Sequence, residues 1–110
     1  MNTSYFAKSA KNSNSVSIAA KAPDWYNGRE YKKLVPKYWF LNKFKEDGDE
    51  KFYIKQYQKE VLSILDARQV YDELGENAVL LCWEKSGKFC HRHLVSNWFK
   101  EKLGIEVKEL

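Results

Sequence analysis

The run from Asn77 to Trp83, Asn-Ala-Val-Leu-Leu-Cys-Trp, constrains this chain more than any other stretch. It is nearly continuously apolar, as expected of a strand covered on both faces in a parallel sheet. It is also far too short to span a membrane. A Lys85-Ser86-Gly87-Lys88 turn follows, and Phe89-Cys90-His91-Arg92-His93 then opens a segment of helical periodicity. Leu94, Val95, Trp98, Phe99 and Leu103 share one face of that segment, and Gly104 is placed to cap its end. Residues 78–99 therefore read as strand, loop and helix.

The same reading extends along the chain. Thr3 to Phe6 is β-prone, Lys8 to Ser15 is a polar loop, and Val16 to Ala20 alternates as a strand does. The two β-prone pieces are expected to pair. Ala22 to Gly28 carries turn chemistry at both ends, with Trp25 and Tyr26 between. Tyr31 to Leu34 suits a helical turn, and Pro36 suits the start of a helix bearing Tyr38, Trp39, Leu41 and Phe44. Ile54, Tyr57, Val61, Ile64 and Leu65 predict an amphipathic helix over residues 50–65. Asp66 reads as the N-cap of a shorter helix closed by Gly75, and residues 105–107 as a last strand. Strands separated by helices imply a single domain over residues 1–110. Its fold class is α/β, a three-layer, mostly parallel, Rossmann-like sheet with flanking helices. In such sheets ligands bind beyond the carboxyl ends of the strands, which is where the 82–93 loop falls.

Composition narrows the function classes. Apolar residues make up 44% and aromatics 15%, too many for a disordered chain. The net charge of +4 is uneven: residues 1–45 carry nine Lys/Arg against two acids, interleaved with Tyr, Trp and Phe. Such a face suits phosphate or nucleic acid, or simply solvation. The first residues have no basic and apolar signal pattern, so the expectation is a soluble, cytoplasmic protein with no membrane partner. Two cysteines in a chain with this much apolar content do not make a disulfide scaffold, so reduced thiols are expected.

Both cysteines and both histidines fall between residues 82 and 93. A thiol at Cys90, at the start of the last helix, would meet free N–H groups and the positive end of the helix dipole, which favour a nucleophilic thiolate. The catalytic candidates are Cys90, His91 as proton shuttle and Glu84 as orienter or general acid/base. Arg92, with His93 and Lys88, is a candidate anion clamp at the helix start, and Trp25 a candidate stacking platform. Cys82, inside the apolar strand, reads as packing. The cysteine spacing matches no common zinc pattern, and adjacent Cys90 and His91 would point apart on a helix, so no metal is expected and no cofactor is implied.

The run Leu80-Leu81-Cys82-Trp83-Glu84 followed by Phe89-Cys90-His91-Arg92-His93 resembles the signature of domain-of-unknown-function family 488, an LLC-x-E … CHR pattern near the C-terminus. Thr3 to Phe6, Lys21-Ala22-Pro23 and Leu34-Val35-Pro36 are similar to a short bacterial and phage branch of it. The resemblance implies an α/β domain with Cys82, Glu84, Cys90, His91 and Arg92 at the motif positions, and no transferable activity. The Asp and Arg that follow the early strand in longer members are missing from Ser17 to Pro23.

The leading expectation is a Cys-His-Arg site that binds or acts on an anionic nucleotide or nucleic-acid component. A second is a non-enzymatic inhibitor or adaptor of a host protein, using the basic-aromatic face from Trp25 to Trp39. A third makes the motif scaffolding, with Glu84 paired to Arg92 or a histidine.

Overall fold

The computed structural model describes residues 1–110. Strands β1 (Asn2–Tyr5), β2 (Ser15–Ser17), β3 (Arg29–Glu30), β4 (Val79–Cys82) and β5 (Lys108–Glu109) form one sheet in the order β3-β2-β4-β1-β5, with every pairing parallel. The apolar run takes the centre, and all four residues of β4 are buried. Its alternate side chains enter different cores, Ala78 and Leu80 on one face, Val79 and Leu81 on the other. β1 and β2 share the sheet but do not pair, because β4 lies between them. The strand with most apolar surface gains most from a position covered on both sides.

Helix α1 (Phe6–Ser9) is a single turn whose Phe6 packs with Ala19, Val79 and Leu81. The opposite face carries the larger core under α2 (Tyr38–Asp47), α3 (Glu50–Glu60), α4 (Ala67–Leu74) and α5 (His91–Leu103). The molecule is thus a three-layer α/β fold, and no helix is long and apolar enough to cross a membrane. Local chemistry explains the helix limits. Lys37 is extended, so α2 starts two residues after Pro36. The helix expected over 50–65 stops at Glu60, and a tighter 3₁₀ turn over Leu62–Ile64 keeps Leu62 inside while leaving Ile64 exposed. Asp66 caps α4 by accepting from the Arg68 and Gln69 amides. Gly104 ends α5 in the left-handed conformation, φ 67°. The last strand begins after Val107, which is buried and whose carbonyl accepts from Ser96 Oγ at 2.5 Å.

This topology places the crevice. The chain leaves β2 toward β3 at one edge and leaves β4, past β1, toward β5 at the other. The carboxyl ends of adjacent β2 and β4 therefore flank a gap that no connection fills, the usual position of a ligand site in an open parallel sheet.

Candidate functional site

A cleft of about 750 Å³ occupies this gap. Residues 19–24, after β2, form one side, and Cys82, Trp83, Glu84, Phe89, Cys90 and His91, after β4, form the other. Pro36, Tyr38, Leu41, Phe44 and Lys45 close it from the α2 side, with Tyr53 from α3 beneath. Phe89 wedges the β4–α5 loop against these helices, its ring 5.1 Å from that of Phe44 and 5.2 Å from that of Tyr53. Trp83 lies edge-on to Phe6 and donates from Nε1 to the Lys21 carbonyl at 2.8 Å, tying the two sides together.

Cys90 is the N-cap of α5 and adopts an extended conformation (φ −155°, ψ 148°). The side chains of Cys90 and His91 nonetheless meet, with Cys90 Sγ 3.8 Å from His91 Nδ1. Both line the cleft. His91 Nε2 lies 2.6 Å from the Ile18 carbonyl oxygen. A carbonyl can only accept, so Nε2 carries the hydrogen, and the lone pair on Nδ1 faces Cys90 Sγ at 3.8 Å. Burial pulls the His91 pKa down to about 4, with the positive charge of Arg92 adding to it and the Ile18 hydrogen bond opposing it. His91 is accordingly a neutral acceptor at pH 7.

The sulfurs differ from the sequence expectation. Cys82 is buried as expected, but its sulfur is joined to that of Cys90 in a disulfide, and no free thiol remains. Eight residues separate the pair in sequence, and the β4–α5 loop folds back far enough to bring strand end and helix cap together. The donor atoms of Cys82, Cys90 and His91 lie within 4.8 Å of one another. Zinc takes cysteine as thiolate, so the three atoms cannot ligate it while the sulfurs are bonded to each other.

Arg92 is fully buried behind the disulfide. Its Nε donates to Glu109 Oε1 at 3.0 Å and its Nη2 to Glu109 Oε2 at 2.8 Å, a bidentate pair. Its Nη1 donates to Cys82 Sγ at 3.1 Å. The ion pair of the scaffolding reading exists, with Glu109 of β5 in the place expected for Glu84. Thr3 Oγ1 and Ser86 Oγ complete a cradle of donors around the Glu109 carboxylate. Burial alone would raise that carboxyl, but hydrogen bonds from Arg92 and Thr3 and the Arg92 charge hold it at about 2. His93 is half-buried, its pKa lowered by burial and by Arg92, with Glu109 opposing.

The fold thus brings Cys90, His91 and Glu84 to one cleft, with Glu84 exposed on its rim. Arg92 and His93 lie behind it, and Lys88 is exposed on the connecting loop. Trp25 lines a separate cleft with Asn14, Ser15 and Ala78, at the opposite end of the strands. Sequence reading missed Glu109, Lys21, Lys45 and the Ile18 carbonyl. A lone acid in a terminal strand carries no signal of its partner, and a backbone carbonyl carries none at all.

A family model, DUF488-N3a, described as the active DUF488-N3 subclade, matches residues 7–103. The match includes Cys82, Glu84, Cys90, His91 and Arg92 and stops short of β5. No curated protein and no solved structure matches the chain.

Proposed function

This chain belongs to the DUF488 family, and on that premise we propose that the β2–β4 cleft binds a nucleotide or nucleic-acid component and, once the Cys82–Cys90 disulfide is reduced, acts on it with Cys90 and His91. The supporting observation is the pairing of aromatic walls with two rim lysines over those two residues, on a lining that also carries Asp24 and Glu84. Tyr38 and Trp83 are 61% and 55% exposed at the cleft, free to stack a base. Lys21 and Lys45 are exposed on the same lining and can neutralise phosphate. Glu84 supplies a carboxylate at the rim, and His91 a fixed acceptor in the floor. The matching family model is described as an active subclade, and its span includes this cleft's Cys90 and His91.

The anion contact passes from Arg92 to the two lysines. Arg92 is enclosed, and each of its three nitrogens donates to Glu109 or Cys82. The adaptor reading has weaker support, because Lys32 and Lys33 of its face are already ion-paired with Glu30 and Glu73.

Tryptophan fluorescence titrated with adenosine monophosphate and with a short single-stranded DNA tests the proposal. The double variant Lys21→Glu/Lys45→Glu should bind at least about tenfold more weakly, with a reduced salt dependence. Lys32→Glu/Lys33→Glu should bind as the wild type does. Equal affinity in the first variant and the wild type, or no saturable binding of either probe, refutes it.

A further inference from the structure

The disulfide sits in surroundings that favour its opening by exchange. One sulfur, Cys82 Sγ, accepts from the buried guanidinium of Arg92 at 3.1 Å, a donor whose charge and direction are fixed by the bidentate Glu109 pair. The other, Cys90 Sγ, sits at the N-cap of a thirteen-residue helix, against the unprotonated Nδ1 of a His91 that is itself almost wholly buried. Both line the cleft, yet Cys90 is 7% exposed and Cys82 1%.

We infer that Cys82–Cys90 is a thiol–disulfide exchange site whose substrate is a dithiol reductant, with Cys90 the sulfur attacked and Cys82 the leaving group. A thiolate of the dithiol attacks Cys90 Sγ and forms a mixed disulfide as the Cys82–Cys90 bond breaks. Cys82 departs as a thiolate, stabilised by the Arg92 Nη1–H bond, since a better-stabilised leaving thiolate leaves faster. The second thiol of the reductant loses its proton, ultimately to Cys82, and attacks its own partner sulfur in the mixed disulfide. The cyclic disulfide departs and Cys90 is released as a thiolate, which then takes the remaining proton and can donate its S–H to His91 Nδ1. Two electrons and two protons have moved from dithiol to protein. The site now presents the free Cys90 sulfur that the proposed chemistry in the cleft needs, although exchange itself does not depend on what the cleft binds.

The test uses the full chain, dithiothreitol as the dithiol and glutathione disulfide as the trapping probe. Air-oxidised wild type should show no free thiol and gain two on reduction, reversibly. Cys82→Ser, with Cys90 free, should form a mixed disulfide with glutathione seen by intact mass, whereas folded Cys90→Ser should react at least about tenfold more slowly. Arg92→Lys, chosen to retain charge in case Arg92→Met fails to fold, should slow reduction of the wild-type disulfide severalfold without changing nucleotide affinity. Two free thiols in the air-oxidised protein overturn the inference, as do equal rates in the two serine variants. Lost nucleotide binding with normal exchange would count against the ligand reading alone.

Discussion

Removing the Glu109 charge tests the buried cradle most directly. Glu109→Gln keeps the shape of the side chain but leaves the Arg92 guanidinium, wholly enclosed, without a counter-charge. The replacement amide also turns an NH₂ group toward one of two donor sets, either Thr3 with Arg92 Nε or Ser86 with Arg92 Nη2. A carboxyl held at about 2 rather than its ordinary 4.5 corresponds to about 3 kcal/mol of preferential stabilisation of the ion. Glu109 is 24% exposed, so solvent screening reduces this to about 2 kcal/mol. Stranding a buried partner adds to the loss, and broken buried pairs cost about 3–5 kcal/mol. The variant should therefore be about 2–4 kcal/mol less stable at pH 7 by urea denaturation. Because the folded pKa is depressed, the contribution is complete above pH 4.5 and is lost as pH falls toward 2. The difference between wild type and variant should shrink over that window. A difference below about 0.5 kcal/mol at pH 7, within the range of ordinary surface substitutions, or one that does not change with pH, would refute the reasoning.

Three further outcomes follow from single side chains. His91 is neutral when folded and titrates at about 4, so the unfolded chain takes up the proton first. Stability should fall by up to about 3 kcal/mol between pH 6.5 and 4, and a urea series comparing wild type with His91→Gln should show that slope only in the wild type. Leu80 is fully buried in the central strand, and Leu80→Ala should cost about 3 kcal/mol. An unchanged urea midpoint would contradict the central position of β4. Asp66→Ala removes the acceptor for two amides at the start of α4 and should cost about 1 kcal/mol, read as a lower Tm.

The central strand, the final helix and their caps were legible because each is written in local chemistry. Burial on two faces shows as an uninterrupted apolar run, and a helix face shows as three- and four-residue spacing. Asp66 and Gly104 act through amides and a backbone angle within a few residues of themselves. The neighbours of the strands were less legible. Val16 has no local preference for Leu80 over a β1 residue, so the expected β1–β2 pairing gave way once the most apolar strand took the centre.

The candidate site divides along the same line. From sequence alone came its place at the carboxyl end of β4, and the grouping of Cys90, His91 and Glu84 follows from a short loop between strand and helix. Only the tertiary structure decided what each group faces. The packed loop and helix start brought Cys90 and His91 together in one cleft, although a helical reading had separated them. The folded-back loop joined Cys82 to Cys90, changing Cys82 from a packing residue into half of a disulfide. The parallel pairing of β5 with β1 delivered Glu109 to Arg92, seventeen residues away, and enclosed a side chain that the sequence offered as an exposed anion clamp. The physical reason is range. Helix propensity, capping and apolar periodicity act over a few residues, whereas the protonation of His91 and the partner of Arg92 depend on groups that only the packed sheet brings within hydrogen-bonding distance.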